Sequence, residues 1–259
     1  MILRLIGGAV AIVILVGATW FAAATYTAGR MPTPAAVETT AIEKTVEAYL
    51  LRRPEVIVEA MQRLQAKRQE EQQWQMVAML GTLKAELRQD PQSPVVGNPK
   101  GDVTVIEFFD YRCPYCKQAH PMLAELLKSD PNVRLVYKEL PVLGQDSLHA
   151  SRISLAVFLE APGKYEALHN ALYEFKGQIT PDIVLAHVRE LGLDLEKIQS
   201  RAQGADVTAL IQKNIALAQK LGIEGTPAFV VGDSVIPGYV EGPQLQLAIQ
   251  QARRACESC

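Results

Sequence analysis

The chain has 259 residues, 49% of them hydrophobic and 21% charged, with a formal net charge of −2 and a pI near 6.1. That length allows one large domain or two smaller ones, and that composition buries a core, which excludes a chain disordered throughout. With no basic excess to neutralise phosphates, nucleic acid is not an expected partner. Four cysteines are too few for a disulfide-stapled scaffold. They fall into two Cys-x-x-Cys pairs, Cys113/Cys116 and Cys256/Cys259, with none between. Short-range pairs of this kind point to redox or metal chemistry.

No side chain between Arg4 and Arg30 is charged. This stretch is long enough for a membrane-spanning helix, and its apolar part, Ile6–Val16, also suits the core of an export signal. Trp20 and Tyr26 lie toward the far end, as interfacial anchors do, while Ala22-Ala23-Ala24 offers a small-x-small cleavage pattern. Residues 1–30 are therefore expected to be either a single-span signal-anchor or a cleaved signal peptide. Both place the remainder in the cell envelope, as a periplasmic domain tethered to the inner membrane or released, where thiols meet an oxidising environment.

Met31-Pro32-Thr33-Pro34 reads as a linker. From Ala41 to Gln89 the composition is helical, interrupted at Arg53-Pro54, where the proline suits the first turn of a second helix. Ile42, Val46, Tyr49 and Leu50, then Ile57, Ala60, Met61 and Leu64, then Trp74, Val77, Leu80, Leu83 and Leu87 recur at helical spacing. One apolar stripe on a long helix cannot satisfy itself. Residues 31–94 are read as linker plus helical stalk, with 41–89 expected to make a homo-oligomer. Asp90-Pro91-Gln92-Ser93-Pro94 marks the boundary to a domain over 95–259.

Within that domain, Gly97–Asp102 reads as a turn and Val103–Phe109 as a strand buried on both faces. Lys117–Lys128 is helical and Val133–Lys138 a second strand. A helical insertion occupies about 145–221, and Gly232-Asp233 signals a hairpin between Ala228–Val231 and Ser234–Ile236. Gly242-Pro243 opens a last helix to about Ala255. The fold class is α/β with a helical insertion, preceded by the N-terminal helix and the helical segment.

Cys113-Pro114-Tyr115-Cys116 follows a strand and opens a helix. The first cysteine then sits where free backbone N–H groups and the helix dipole stabilise a thiolate, the nucleophile of disulfide exchange. Cys113 is expected to attack and Cys116, one turn along, to resolve. Pro114 costs no hydrogen bond in the first turn, and Arg112 and Lys117 add positive potential. Half a zinc site or an inert structural disulfide would use the same two residues, but the strand–motif–helix setting favours exchange.

Glu107–Cys116 resembles the active-site segment of the DsbA-like thiol-disulfide oxidoreductases of the thioredoxin superfamily. Gly225-Thr226-Pro227-Ala228-Phe229 resembles that family's cis-proline loop, and Pro121 falls where thioredoxin-like proteins kink the active-site helix. Gly97–Gly101, Tyr137–Gly144 and the helical N-terminal region are similar to the Com1/ScsC-type branch, some members of which oligomerise and isomerise disulfides. The resemblance implies a thioredoxin fold and a protein disulfide oxidoreductase or isomerase, with Cys113 and Cys116 as a redox-active disulfide. It implies cysteine-containing protein substrates held by Pro114, Tyr115, Thr226 and Pro227, a membrane redox partner that recharges the dithiol, and no cofactor or resident metal. Tyr115 stands where DsbA has histidine, which weakens the expectation of a strongly oxidising site. Glu107, within an apolar strand, is expected either to relay a proton to Cys116 from a buried position or to be a surface glutamate. His120 reads as a helix-face residue. Cys256 and Cys259 are a second dithiol that relays electrons, a passive pair, or a metal ligand pair. The alternative function is envelope handling of copper or zinc by the same thiols.

Overall fold

The computed structural model describes residues 39–255. The span expected over residues 1–30, the linker at 31–34, and Cys256 and Cys259 lie outside the described residues. Among those described, no helix is long and apolar enough to cross a membrane.

The chain divides into two compact units, to Arg68 and from Gln69. The first contains α1 (Thr39–Arg52) and the start of α2 (Glu55–Thr82). Pro54 stands immediately before α2. Ile42, Val46, Tyr49, Leu51, Ile57, Val58, Met61 and Leu64 are exposed, and Ile42, Val46, Leu50 and Leu51 line an apolar groove along one face of α1.

The second unit is built on a five-stranded sheet ordered β1-β3-β2-β4-β5: β1 (Val95–Gly97), β2 (Val103–Phe109), β3 (Val133–Glu139), β4 (Ala228–Val231) and β5 (Ser234–Pro237). β2 and β3 are parallel, and the other pairings are antiparallel. Between β2 and β3 runs α4 (Pro114–Ser129), the crossover a parallel pair requires. Between β3 and β4 lie α5 (Gln145–Glu160), α6 (Pro162–Glu174), α7 (Pro181–Glu190), α8 (Leu195–Ala202) and α9 (Ala205–Lys220), and α10 (Gly242–Ala255) follows β5. The helical block falls where the sequence places it. β1 does not, because three residues running into the left-handed Gly97 (φ 75°) carry no alternation.

β2 is buried at every position. Its Val103, Val105 and Phe109, with Leu135, Tyr137 and Phe229, share a core with Leu123, Leu126, Leu245 and Ile249 of α4 and α10. Its even side chains Ile106 and Phe108, with Val136 and Val230, meet Leu217 and Leu221 together with Leu80, Leu83 and Leu87. Leu80 ends the apolar stripe of α2, and Leu87 lies in α3 (Lys84–Arg88). The stripe expected to serve self-association over 41–89 is thus spent, from Leu80 onward, on its own domain. The expected boundary at 94/95 falls inside the second unit for the same reason.

A polar clamp fixes this arm. The buried Lys138 donates to Glu86 O (2.9 Å), Ser93 Oγ (2.7 Å) and Asp90 Oδ2 (3.2 Å), and Lys213 donates to the same Asp90 oxygen at 2.9 Å. Arg134 donates to Arg88 O, and Arg88 reaches Gly232 O.

Candidate active site

The site forms where β2 ends and α4 begins. Asp110 closes the turn between them. Its Oδ1 accepts Arg112 N (2.8 Å), its Oδ2 accepts Val142 N and Leu143 N (2.9 and 3.0 Å), and its backbone oxygen accepts Cys113 N (3.0 Å) and Tyr173 OH (3.3 Å). Asp110 was not singled out from the sequence, although an aspartate two residues before a turn amide is a recognised local acceptor. It sets the height at which Cys113 enters α4.

Cys113 is the N-cap of α4, with extended backbone (φ −76°, ψ 119°), and Pro114 occupies the first turn. Both active-site cysteines are free thiols. Cys113 is 5% exposed and Cys116 fully buried, so an incoming sulfur meets Cys113 first. The Cys113 thiol is pulled down to about 5, chiefly by the hydrogen bond from Cys116, with burial opposing and the backbone N–H groups of Tyr115 and Cys116 assisting. The Cys116 thiol is pushed far up, first by burial and then by its bond to Cys113 and by the charge of Glu107. The two cysteines therefore divide into a thiolate and a proton-holding thiol.

Opposite them, the Thr226–Pro227 bond is cis. Thr226 O lies 3.1 Å from Cys113 Sγ, which donates to it while protonated. The strand that carries this loop, β4, pairs antiparallel with β2, placing Phe229 beside Glu107. Pro114 and Tyr115 are exposed next to Cys113, Thr226 is half-buried and Pro227 buried. A cavity of about 280 Å³ adjoins Cys113, bordered by Arg112, Lys117, Gln178 and Ile179. Arg112 also pairs with Asp146 at 3.3 Å, and Lys117 donates to Phe175 O.

Glu107 is buried, not a surface residue of the strand end. Burial, then the Cys113 charge, raises its carboxyl to about 8, and its Oε1 has no hydrogen-bond partner. A second buried carboxylate, Glu139 at the end of β3, is likewise raised to about 8 by burial; Tyr165 OH approaches its Oε1 at 3.5 Å. Periodicity offers no cue to it, since it sits at a strand's last position. His120 is half-buried, stacked on Tyr173 at 5.1 Å, and burial lowers its pKa. Among the described residues no group of three or more His, Cys, Asp or Glu side chains could hold a metal ion.

A dithiol at a helix mouth, after a parallel strand and facing a cis X–Pro bond on the neighbouring strand, defines a thioredoxin-like protein. The chain belongs to the DSBA-like thioredoxin domain family, whose model matches residues 104–250. Residues 38–71 match a second family, the copper resistance protein ScsC N-terminal domain. Among solved structures, a thioredoxin-like oxidoreductase from Silicibacter pomeroyi DSS-3 is 51% identical, with 66% of this chain and 98% of that one covered and a TM-score of 0.64. Proteus mirabilis ScsC in a compact conformation is 31% identical over 83% of this chain and 98% of that one, TM-score 0.63. The thiol:disulfide interchange protein DsbA of Bordetella parapertussis is 28% identical over 143 residues, 54% of this chain and 68% of that protein. The chain spans only 25% of the length of two other curated relatives it matches, the Na(+)/H(+) antiporters NhaA 1 of Salinispora arenicola and NhaA 3 of Salinispora tropica.

Proposed function

We propose that this protein exchanges disulfides with cysteine-containing protein substrates through Cys113 and Cys116. The reading is carried by one observation: adjacent thiols of opposite character, Cys113 drawn down to about 5 and Cys116 pushed up, at a helix mouth against Thr226. In reduction or isomerisation, the Cys113 thiolate attacks a substrate disulfide, a mixed disulfide forms, and Cys116 displaces the substrate thiol. In oxidation, a substrate thiolate attacks Cys113 of the disulfide form and Cys116 leaves. The Thr226 backbone pairs with an extended substrate segment in the manner of an added strand, beside Pro114, Tyr115 and Pro227.

Glu107 serves as the proton acceptor for Cys116, a role suited to a buried carboxyl that titrates near 8. Its carboxylate fraction grows as pH rises through 8, so release of the mixed disulfide accelerates over that range and then levels off. Glu107→Gln removes the pH step and slows release by about 10- to 100-fold at pH 7, read by stopped-flow decay of a mixed disulfide. An unchanged profile in the variant removes Glu107 from the mechanism.

The domain works in the cell envelope, after export by residues 1–30 as anchor or cleaved signal, and a membrane redox partner recharges the dithiol. Its thioredoxin-like part takes in the arm from Leu80 to Ser93 as well as the sheet that follows, and the segment before that arm serves as linker and stalk. The apolar residues from Ile42 to Leu64 form a homo-oligomer, a reading supported by their exposure and by the ScsC N-terminal match. Grouped sites favour isomerisation over simple oxidation.

Equilibration with glutathione redox buffers tests the proposal. A thiolate stabilised to about 5 lies between those of thioredoxin and DsbA, so the potential should fall between about −270 and −120 mV. A dithiol that does not equilibrate sinks the reading. A second reading, handling of Cu(I) or zinc by the same thiols, is favoured by the name of the N-terminal match. It requires stoichiometric metal bound by the reduced protein and lost in Cys113→Ser.

A further inference from the structure

The cavity beside Cys113 has no part in sulfur exchange itself, yet it opens directly on the attacking residue. Its volume of about 280 Å³ lies just under the range of about 300–1,000 Å³ that pockets for drug-sized ligands occupy, which suits a side chain rather than a cofactor. Thr226 and Pro227 do not line it. Cys113 therefore has two distinct neighbours: Thr226 O, 3.1 Å from its sulfur, and this recess, bordered by Arg112, Lys117, Gln178 and Ile179.

The charges of the recess are of one sign. Among the described residues that line it, Arg112 and Lys117 are charged and no carboxylate is present. Lys117 donates to the backbone oxygen of Phe175, a neutral acceptor that leaves its charge uncancelled. Arg112 pairs with Asp146 of α5 at 3.3 Å, but these side chains are 30 and 38% exposed, so solvent screens the pair. Asp110 spends its carboxylate on the N–H groups of Arg112, Val142 and Leu143. Glu174, which ends α6, lines a different cavity with His120.

The loop that closes the recess is shaped for close approach. A Cβ on Gly177 would meet the Phe175 ring at 2.6 Å, and the Phe175 carbonyl is the acceptor that positions Lys117. Beyond Gly177, buried Ile179 gives the recess an apolar wall, and the exposed Gln178 adds an amide donor.

We propose that this recess takes the carboxylate side chain of a substrate residue close to the reacting cysteine, so that acidic cysteine-bearing segments are the preferred substrates. The inference rests on the exchange reading of Cys113. Thr226 holds the substrate on one side of its cysteine, and a residue on the other side enters the recess to meet Lys117 and Arg112. The mixed disulfide favours this arrangement. Cys113 carries no charge there, so the cations that face its thiolate in the free enzyme are left to the substrate carboxylate.

Full-length Cys116→Ser/Cys256→Ser/Cys259→Ser, in which Cys113 is the sole thiol, tests this with peptides whose cysteine is capped as a disulfide with 2-thiopyridine. Cys113 attacks the peptide sulfur and the thiopyridine leaves, which absorbance reads. One peptide set carries Glu, Gln or Lys just before the cysteine, a second carries them just after it, and each rate is divided by that with 2-mercaptoethanol. At low salt Glu is expected to react about three- to fivefold faster than Gln, and Lys slower than Gln, in one set only, with the difference fading at high salt. The formal net charge of −2 would by itself favour the Lys peptides, so the expected order requires a local site. Lys117→Gln brings the Glu/Gln ratio toward one, and Lys117→Glu inverts it. Equal rates for Glu and Gln, an equal preference in both sets, or a ratio that survives both Lys117 variants overturns the proposal. A Gln peptide that reacts with 2-mercaptoethanol but not with Cys113 overturns the exchange reading as well, which separates the two failures.

Discussion

Cys113→Ser lowers disulfide exchange by at least about a thousandfold, whereas Cys116→Ser keeps attack and loses release. A serine hydroxyl is not ionised at neutral pH, and the N–H groups that hold a thiolate cannot make it a comparable nucleophile. With the Cys113 thiol at about 5, its thiolate is nearly fully formed at pH 7, while an ordinary cysteine is ionised only to a few per cent. The attack rate of Cys116→Ser is therefore expected to be flat from pH 6 to 8, provided that loss of the Cys116 hydrogen bond is offset by the serine hydroxyl in its place. It should fall as pH drops through about 5. Reduction of a peptide disulfide gives the rate, and mass spectrometry of the stalled Cys116→Ser adduct gives the attachment site. More than a tenth of the wild-type rate in Cys113→Ser, or an adduct on another residue, rules out Cys113 as the attacking sulfur.

The parts of this site legible in the sequence are those set by local chemistry. A β-branched apolar run ending in Cys-Pro-Tyr-Cys specifies strand, N-cap and first-turn proline within fourteen residues, and each choice agrees with the others. Thr226-Pro227 was legible only by its likeness to a known loop, because nothing in a Thr-Pro dipeptide says what it will face. The fate of Glu107 could not be decided from the chain alone: its burial comes from Tyr137 and Phe229 on both neighbouring strands. Helical periodicity runs the stripe on through Leu80, Leu83 and Leu87 because it reports a face and not what covers it. The tie from Arg253 to Asp102 and Asp130 was equally illegible, since it joins residues more than a hundred positions apart in sequence.

The clamp on Lys138 carries the second large effect. Asp90→Ala is expected to destabilise the domain by about 3–5 kcal/mol, because it leaves a fully buried ammonium without its counter-charge. Burial pulls the Lys138 pKa down and would raise that of Asp90, yet Lys213 and Lys138 together hold Asp90 below the ordinary carboxylate range. The contribution of Asp90 is accordingly full above about pH 4, the unfolded value, and fades as pH falls further through its folded pKa. Exposed pairs such as Arg63–Glu59 contribute a fraction of a kcal/mol at most, so Glu59→Ala is the internal control. Replacing both partners, Asp90→Leu with Lys138→Met, should cost less than Asp90→Ala alone, since it removes the stranded charge along with the pair. Urea midpoints at pH 7 measure all three. A loss below about 1 kcal/mol in Asp90→Ala would mean that water reaches Lys138 and that the arm from Leu80 to Ser93 is held by its leucines alone. A loss in the expected range makes this arm part of the catalytic domain's own stability, because Lys138 lies on β3 between Tyr137 and Glu139, whose side chains form the opposite, active-site face of the same strand.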